Sequence, residues 1–232
     1  MARAPITAEA FSTPAGRRRA WRELMLRDHG LLRKFYRNTH EISPGELWRA
    51  YQPSPRDLER WRDKGVKTIV NLRGDKPSGF YFLEKDACER LGLELVTFRV
   101  FSRDAPSKEA FHGAKTLYEQ IAYPAVIHCK SGADRAGLMA CLFLFLHKGR
   151  HLDESLEQLT FRYGHVKAGK TGVIDFAFEQ FRGWATENGK SLSSVDDFFE
   201  WVDGPYDPAT TKAAFRGKGW GDLLTETILR RE

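Results

Sequence analysis

Cysteine is scarce in this sequence: Cys88, Cys129 and Cys141 are the only three in 232 residues. They are too few and too scattered for a disulfide framework, so a reducing cytoplasm is the expected setting. Long apolar runs are missing as well. The longest is LMACLFLFL, 138–146, whereas a membrane-spanning helix needs about 20 such residues. The opening stretch MARAPITAEAFSTPAGRRR lacks the apolar segment of a signal peptide. There is no internal repeat and no low-complexity tract. No His, Asp or Glu cluster falls at a metal-ligand spacing, so neither a metal nor another cofactor is expected. Net positive charge is confined to one place. Residues 1–40 hold nine Arg and Lys against three Asp and Glu, and the rest of the chain is formally neutral, so the whole +6 belongs to an N-terminal arm. No nucleic-acid partner is expected.

What is present fits one domain with appendages: an arm over 1–43, a domain over 44–189 and a Gly-, Pro- and Asp-rich extension over 190–232 packed on it. In the arm, Trp21, Leu24, Met25, Leu32 and Phe35 keep rough helical spacing between basic residues, with a break at Gly30. Such a segment either rests on an anionic membrane surface through residues 17–37, a peripheral contact at the inner membrane, or packs its apolar stripe on the protein's own core.

The middle of the chain alternates. Strands are predicted over 46–52, 66–73, 93–101 and 125–129. Helices are predicted over 53–65 (capped at Ser54), 80–92, 107–122, 134–149, 153–163 and 173–187. Strands separated by helices imply right-handed crossovers, hence an α/β fold with a mainly parallel central sheet of four to five strands flanked by helices.

Two stretches could hold phosphate. GHVKAGKT, Gly164 to Thr171, fits the nucleotide-loop pattern G-x-x-x-x-G-K-[ST]. The pattern needs a strand leading in, but Leu152, Leu156, Leu159 and Tyr163 before it fall on one helical face. A nucleotide binder is therefore the weakest reading, though Lys167 and Lys170 could still face an anion. The stronger stretch is AVIHCKSGADRAGL. An apolar strand ends at His128, Cys129 follows, and Arg135 opens a long apolar helix. At the carboxyl end of a buried strand, loop amides and a helix N-terminus form an anion nest. Such a nest favours the thiolate of Cys129, poised to attack phosphorus. Gly132 permits a turn or a close backbone approach. Arg135 can fork onto two oxygens of the transferring phosphoryl group.

The run H-C-x-x-G-x-x-R after an apolar strand resembles the signature of cysteine-dependent protein tyrosine and dual-specificity phosphatases. LWRAYQPS and GVKTIVNLR upstream are similar to the first strands of the small, bacterial-type dual-specificity group, and the resemblance covers about 44–187. It implies a metal-independent phosphomonoesterase with Cys129, Arg135 and an aspartic acid as catalytic residues. FSRDAPS offers Asp104 as that acid. Asp134, inside the loop, is the alternative, since an in-loop Asp is proposed as the acid in some lipid-directed relatives. The substrate would lie against His128, Lys130, Ser131, Gly132, Ala133 and Asp134, with Arg103 steering anions. The sequence departs from the family where a Ser or Thr usually follows the arginine: it has Ala136. The second half-reaction should then be slow unless Ser131 substitutes. Lys130, in an HCK run similar to that of phosphoinositide phosphatases, points to a strongly anionic substrate such as a phosphorylated lipid headgroup or an inositol phosphate. A phosphoprotein substrate, or a catalytically weak phosphate-binding module, are the alternatives.

Overall fold

The computed structural model describes residues 6–33 and 38–217. The N-terminal segment contains α1 (Ala8–Ser12) and α2 (Pro14–Arg22), which runs into a wider π turn over Glu23–Arg27, and then α3 (Gly30–Arg33). Gly30 was expected to break this helix, but the break falls earlier. Asp28 leaves the helical region and His29 takes a left-handed φ of 61°, so Gly30 begins the next turn. Ala20 and Leu24 are buried, and with Ile6 and Phe11 they cluster on Leu83. Trp21, Leu24 and Met25 of the apolar stripe thus pack on the protein's own core, and the side chain of Leu32 is outside what is described. Phe35 lies outside the described residues.

The sheet has five strands: β1 (His40–Ser43), β2 (Leu47–Ala50), β3 (Thr68–Asn71), β4 (Glu94–Thr97) and β5 (Ala125–His128). Their spatial order is β1-β2-β5-β3-β4, all parallel except the antiparallel β1. β1 falls inside the stretch read as arm, and the sequence reading contained no strand there. Between the strands stand α4 (Pro55–Asp63), α5 (Gly79–Leu91) and α6 (Lys108–Gln120). Ser54 and Asp57 cap α4 reciprocally, which fixes its start against the end of β2.

After β5 come α7 (Asp134–Leu142), extended by a π turn to His147, then α8 (Leu152–Leu156), α9 (Val173–Glu187), α10 (Val195–Asp203) and α11 (208–217). Side chains alternate across each parallel strand. Leu47, Val70 and Ile127 therefore pack with α6, α7, α9 and α10, while Ile69 and Val126 pack with α4 and α5. Phe198 and Trp201 of α10, with Tyr206 just after it, belong to the main core. No helix among the described residues is long and apolar enough to cross a membrane.

One predicted helix is cut short. The pattern over 153–163 gives only α8, followed by turns and a 3₁₀ turn at Phe161–Tyr163. The cause is a buried cation: Arg49 donates to the Gln158 carbonyl at 2.7 Å and to its side-chain oxygen at 3.0 Å. That carbonyl is used across the structure and does not continue the helix.

Candidate active site

The loop from Cys129 to Arg135 sits at the carboxyl edge of the sheet, between the buried β5 and the N-terminus of α7. What shapes it is visible in its carbonyls. The Lys130 carbonyl accepts from the Gln52 N–H at 3.3 Å, and that of Ser131 from Asn38 Nδ2 at 3.0 Å. The carbonyl of Gly132 accepts from Arg49 Nη2 at 2.8 Å and that of Ala133 from the same atom at 2.7 Å. Four successive oxygens are thus held from behind. A trans peptide points its N–H opposite to its C=O, so the amides that follow face the other way, into one concavity. Among the described residues no hydrogen bond takes up the N–H groups of Ser131, Gly132 or Ala133. This is the geometry of an anion nest.

Gly132 is required here. Its φ is +75°, and a Cβ would meet the Asn38 carbonyl oxygen at 2.7 Å and the Ala50 carbonyl carbon at 3.0 Å. Arg49 is fully buried and stacks its guanidinium 4.3 Å above the Tyr163 ring. Its five-donor fork suits the oxygens of residues 132, 133 and 158, which a lysine could not reach together. Asn38 also donates to the Tyr163 carbonyl at 2.8 Å, and His40 contacts its Oδ1 at 3.0 Å, so its amide orientation is fixed. The sequence reading missed Asn38, Arg49 and His165. A fully buried arginine on a strand was the available clue at position 49, but burial is not legible from so short a run.

The expected site residues are placed as follows. Cys129 is buried at the mouth of the nest, its N–H on the Ala50 carbonyl at 3.4 Å. Arg135 is partly exposed, and its side chain makes no hydrogen bond or ion pair to another described residue. His128 is fully buried with Nε2 2.5 Å from Glu84 Oε1, a close contact without hydrogen-bond alignment; Asn71 holds the other Glu84 oxygen at 2.9 Å. Lys130 lies 3.9 Å from Asp28, which Arg73 grips with two hydrogen bonds of 2.8 Å. The N-terminal segment therefore delivers a carboxylate to the edge of the loop. Ser131 is exposed, and Ala136 is fully buried.

The two candidate acids differ in surroundings. Asp134 bonds to Nδ1 of the buried His165 at 2.8 Å, and Nε2 of the same ring reaches Asp175 at 2.6 Å. Burial alone would raise the Asp134 carboxyl, but the hydrogen bond and charge of His165 outweigh it and hold it below its ordinary value. Burial opposes the charge on His165, yet its two carboxylate partners push it up to about 9. Asp134 is thus held ionised. Asp104 lies on the loop between β4 and α6, half-exposed and paired with Lys212 of α11; Arg103 beside it is exposed. Lys167 pairs with Asp175 at 3.3 Å. GHVKAGKT follows one 3₁₀ turn and runs into a second at Lys170–Gly172, with no strand leading into it. That placement lacks the context a nucleotide loop needs.

The family model described as DSP-PTPase phosphatase fused to NAD+ kinase matches residues 34–175. No curated protein matches. Among solved structures, TpbA of P. aeruginosa is 17% identical over 77% of this chain and 91% of its own, with a TM-score of 0.46. Tk-PTP in its active form is 25% identical over 58% of this chain and 90% of its own, also at 0.46. PTPMT1 is 20% identical over 52% and 79%, at 0.42.

Proposed function

This chain belongs to the DSP-PTPase phosphatase family whose model spans residues 34–175, and from that premise we propose how its phosphatase domain works and on what. Cys129 Sγ attacks the phosphorus of a phosphomonoester bound in the nest. The bond from phosphorus to the leaving oxygen breaks as that oxygen takes a proton from Asp104. Arg135 and the loop amides hold the equatorial oxygens, where charge gathers in the transition state. Water then attacks the cysteinyl-phosphate, giving its proton to Asp104, and phosphate leaves with the thiolate restored. In this scheme Asp104 leaves Lys212 to carry the proton, whereas Asp134 is not the donor, because the buried His165 keeps it ionised. With no hydroxyl at Ala136, the second step is the slow one.

The observation that carries the reading is the set of four carbonyls turned outward over 130–133, since it leaves the amides facing a dianion. The substrate favoured is strongly anionic, a phosphorylated lipid headgroup or an inositol phosphate. Lys130 and the exposed Arg103 support it, although Asp28 offsets part of the Lys130 charge. The chain would then work in the cytoplasm against the inner membrane. A phosphoprotein is the second reading, since the H-C-x-x-G-x-x-R run resembles the signature of protein tyrosine phosphatases. Turnover of a generic aryl phosphate in EDTA, with vanadate as inhibitor, tests the chemistry. Full activity in chelator and complete loss in Cys129→Ser are expected. Activity that falls on chelation and returns with a divalent ion, or a serine variant within about tenfold of wild type (1.4 kcal/mol of barrier), refutes the scheme. A panel of phospholipids, inositol phosphates and phosphopeptides then separates the substrates.

A further inference from the structure

Five large apolar side chains are exposed among the described residues: Leu26, Leu31, Phe101, Phe161 and Val166. They are not scattered. Leu26 and Leu31 flank Asp28, which meets Arg73 and, beside the nest, Lys130. Phe101 stands three residues before Asp104 on the loop leaving β4. Phe161 and Val166 flank Tyr163 and His165, which touch Arg49, Asn38 and Asp134 behind the nest. All three segments converge on the carboxyl edge of the sheet, where the phosphate loop opens.

Their charge is equally ordered. Leu26 is followed by the exposed Arg27, Phe161 by Arg162, and Phe101, two residues on, by Arg103; Lys167 after Val166 is shared with Asp175. The acids in these segments are engaged: Asp28 is buried on Arg73, and Asp104 pairs with Lys212. An apolar side chain beside a long cationic one, repeated around a rim, matches an anionic bilayer surface. There the apolar group enters the acyl boundary while the cation stays among headgroup phosphates. A soluble peptide phosphate would need no such rim, and Phe161, at 82% exposed, is costly to leave in water.

We propose that the rim formed by residues 26–31, 99–104 and 161–167 docks the protein on an anionic membrane surface, with the phosphate nest facing the headgroups. This deepens the reading above and rests on it only for the identity of the reaction. The basic arm acts here through its last turn, because its apolar stripe is already occupied by Leu83 and its neighbours.

The test is co-sedimentation of the full chain with phosphatidylcholine vesicles, alone and doped with an anionic phosphodiester lipid, at low and high salt. No hydrolysable phosphomonoester is present, so the result is independent of turnover. Binding is expected on the doped vesicles only, weakening with salt. Leu26→Ser with Phe161→Ser should lower it about tenfold or more and leave hydrolysis of a small soluble aryl phosphate unchanged. If that pair melts early, Arg27→Gln with Arg162→Gln carries the same test. Equal binding by wild type and both pairs, or no binding to the doped vesicles, overturns the proposal. So does a concentration-dependent dimer that the serine pair abolishes, since the rim would then cover a second copy. A chain that binds vesicles this way yet hydrolyses no phosphomonoester would keep the docking rim and remove the phosphatase scheme.

Discussion

The loop after β5 and the loop after β4 leave the same edge of the sheet and are held in opposite ways. The first, 129–135, is braced from behind by donors on several elements, the chief of them fully buried Arg49. The second, which carries Asp104, is tied by Lys212 and by the Tyr206 hydroxyl on the Pro106 carbonyl at 2.5 Å. Both ties come from the C-terminal extension, Lys212 on α11 and Tyr206 in the link before it, and the first is partly exposed. Preorganised amides act only while they stay still, whereas a proton donor can arrive and withdraw with its loop. On the proposed scheme this difference would separate a fixed electrostatic half of the site from a half free to move.

The largest effect that sharpens this comparison concerns the movable half. Asp104→Asn should lower turnover by roughly 10²- to 10⁴-fold for substrates with poor leaving groups. For aryl phosphates whose leaving group needs no proton it should matter far less. Asp134→Asn should show no such leaving-group dependence, and the reverse pattern in a Brønsted series would exchange the two roles. Next in size is Arg49→Lys in the fixed half. Lysine keeps the charge but strands several loop and Gln158 oxygens, each buried unsatisfied group costing about 1–3 kcal/mol. A drop in thermal or denaturant stability of about 2–5 kcal/mol is expected, with weaker vanadate binding. An unaltered melt would show that the nest is held by something other than Arg49.

A smaller effect comes from pH. His165 is raised to about 9 in the folded chain from an ordinary 6.5. A raised imidazole stabilises fully below the unfolded value and loses that contribution as pH climbs through the folded one. Asp134 is depressed, so its contribution holds above the ordinary carboxylate range and fades as pH falls below it. Wild type should therefore lose activity and stability on an alkaline limb near pH 9, and His165→Gln should lack that limb. A limb that persists in the variant assigns it to another group. The smallest effect is at the tie. An exposed ion pair contributes about 0–1 kcal/mol, so Lys212→Met should change turnover by no more than about fivefold. A loss as deep as that of Asp104→Asn would mean that α11 is part of the fixed half.

Much of this was legible because it is local. Each strand and helix of the α/β alternation, the strand ending at His128 and the helix opening near Arg135 are read from short local runs. β1 escaped because four residues, HEIS, with one antiparallel neighbour leave no periodic signal. The helix over 153–163 was overread because its apolar spacing is real, yet Arg49 claims the Gln158 carbonyl from across the molecule. Asn38, Arg49 and His165 went unseen for the same reason. Each is defined by a partner far away in sequence, and a single chain does not display its contacts. The arm could be read as amphipathic, but not for which surface; Leu83 supplies the answer for its buried stripe.

The bracing of the nest also sets when the site can exist. The ties made by Asn38, Arg49 and Gln52 join residues 78 to 125 positions apart in the chain, and the bracing comes from both sides of Cys129. Asn38 and Arg49 precede the cysteine, while Gln158, Tyr163 and His165 follow it. Closing such separations costs chain entropy before any contact rewards it. A chain still growing past Cys129 carries the thiol without the nest, and a fragment ending before Gln158 has no way to complete it. During refolding, phosphate affinity should return with the final cooperative step and not with the first helices to form.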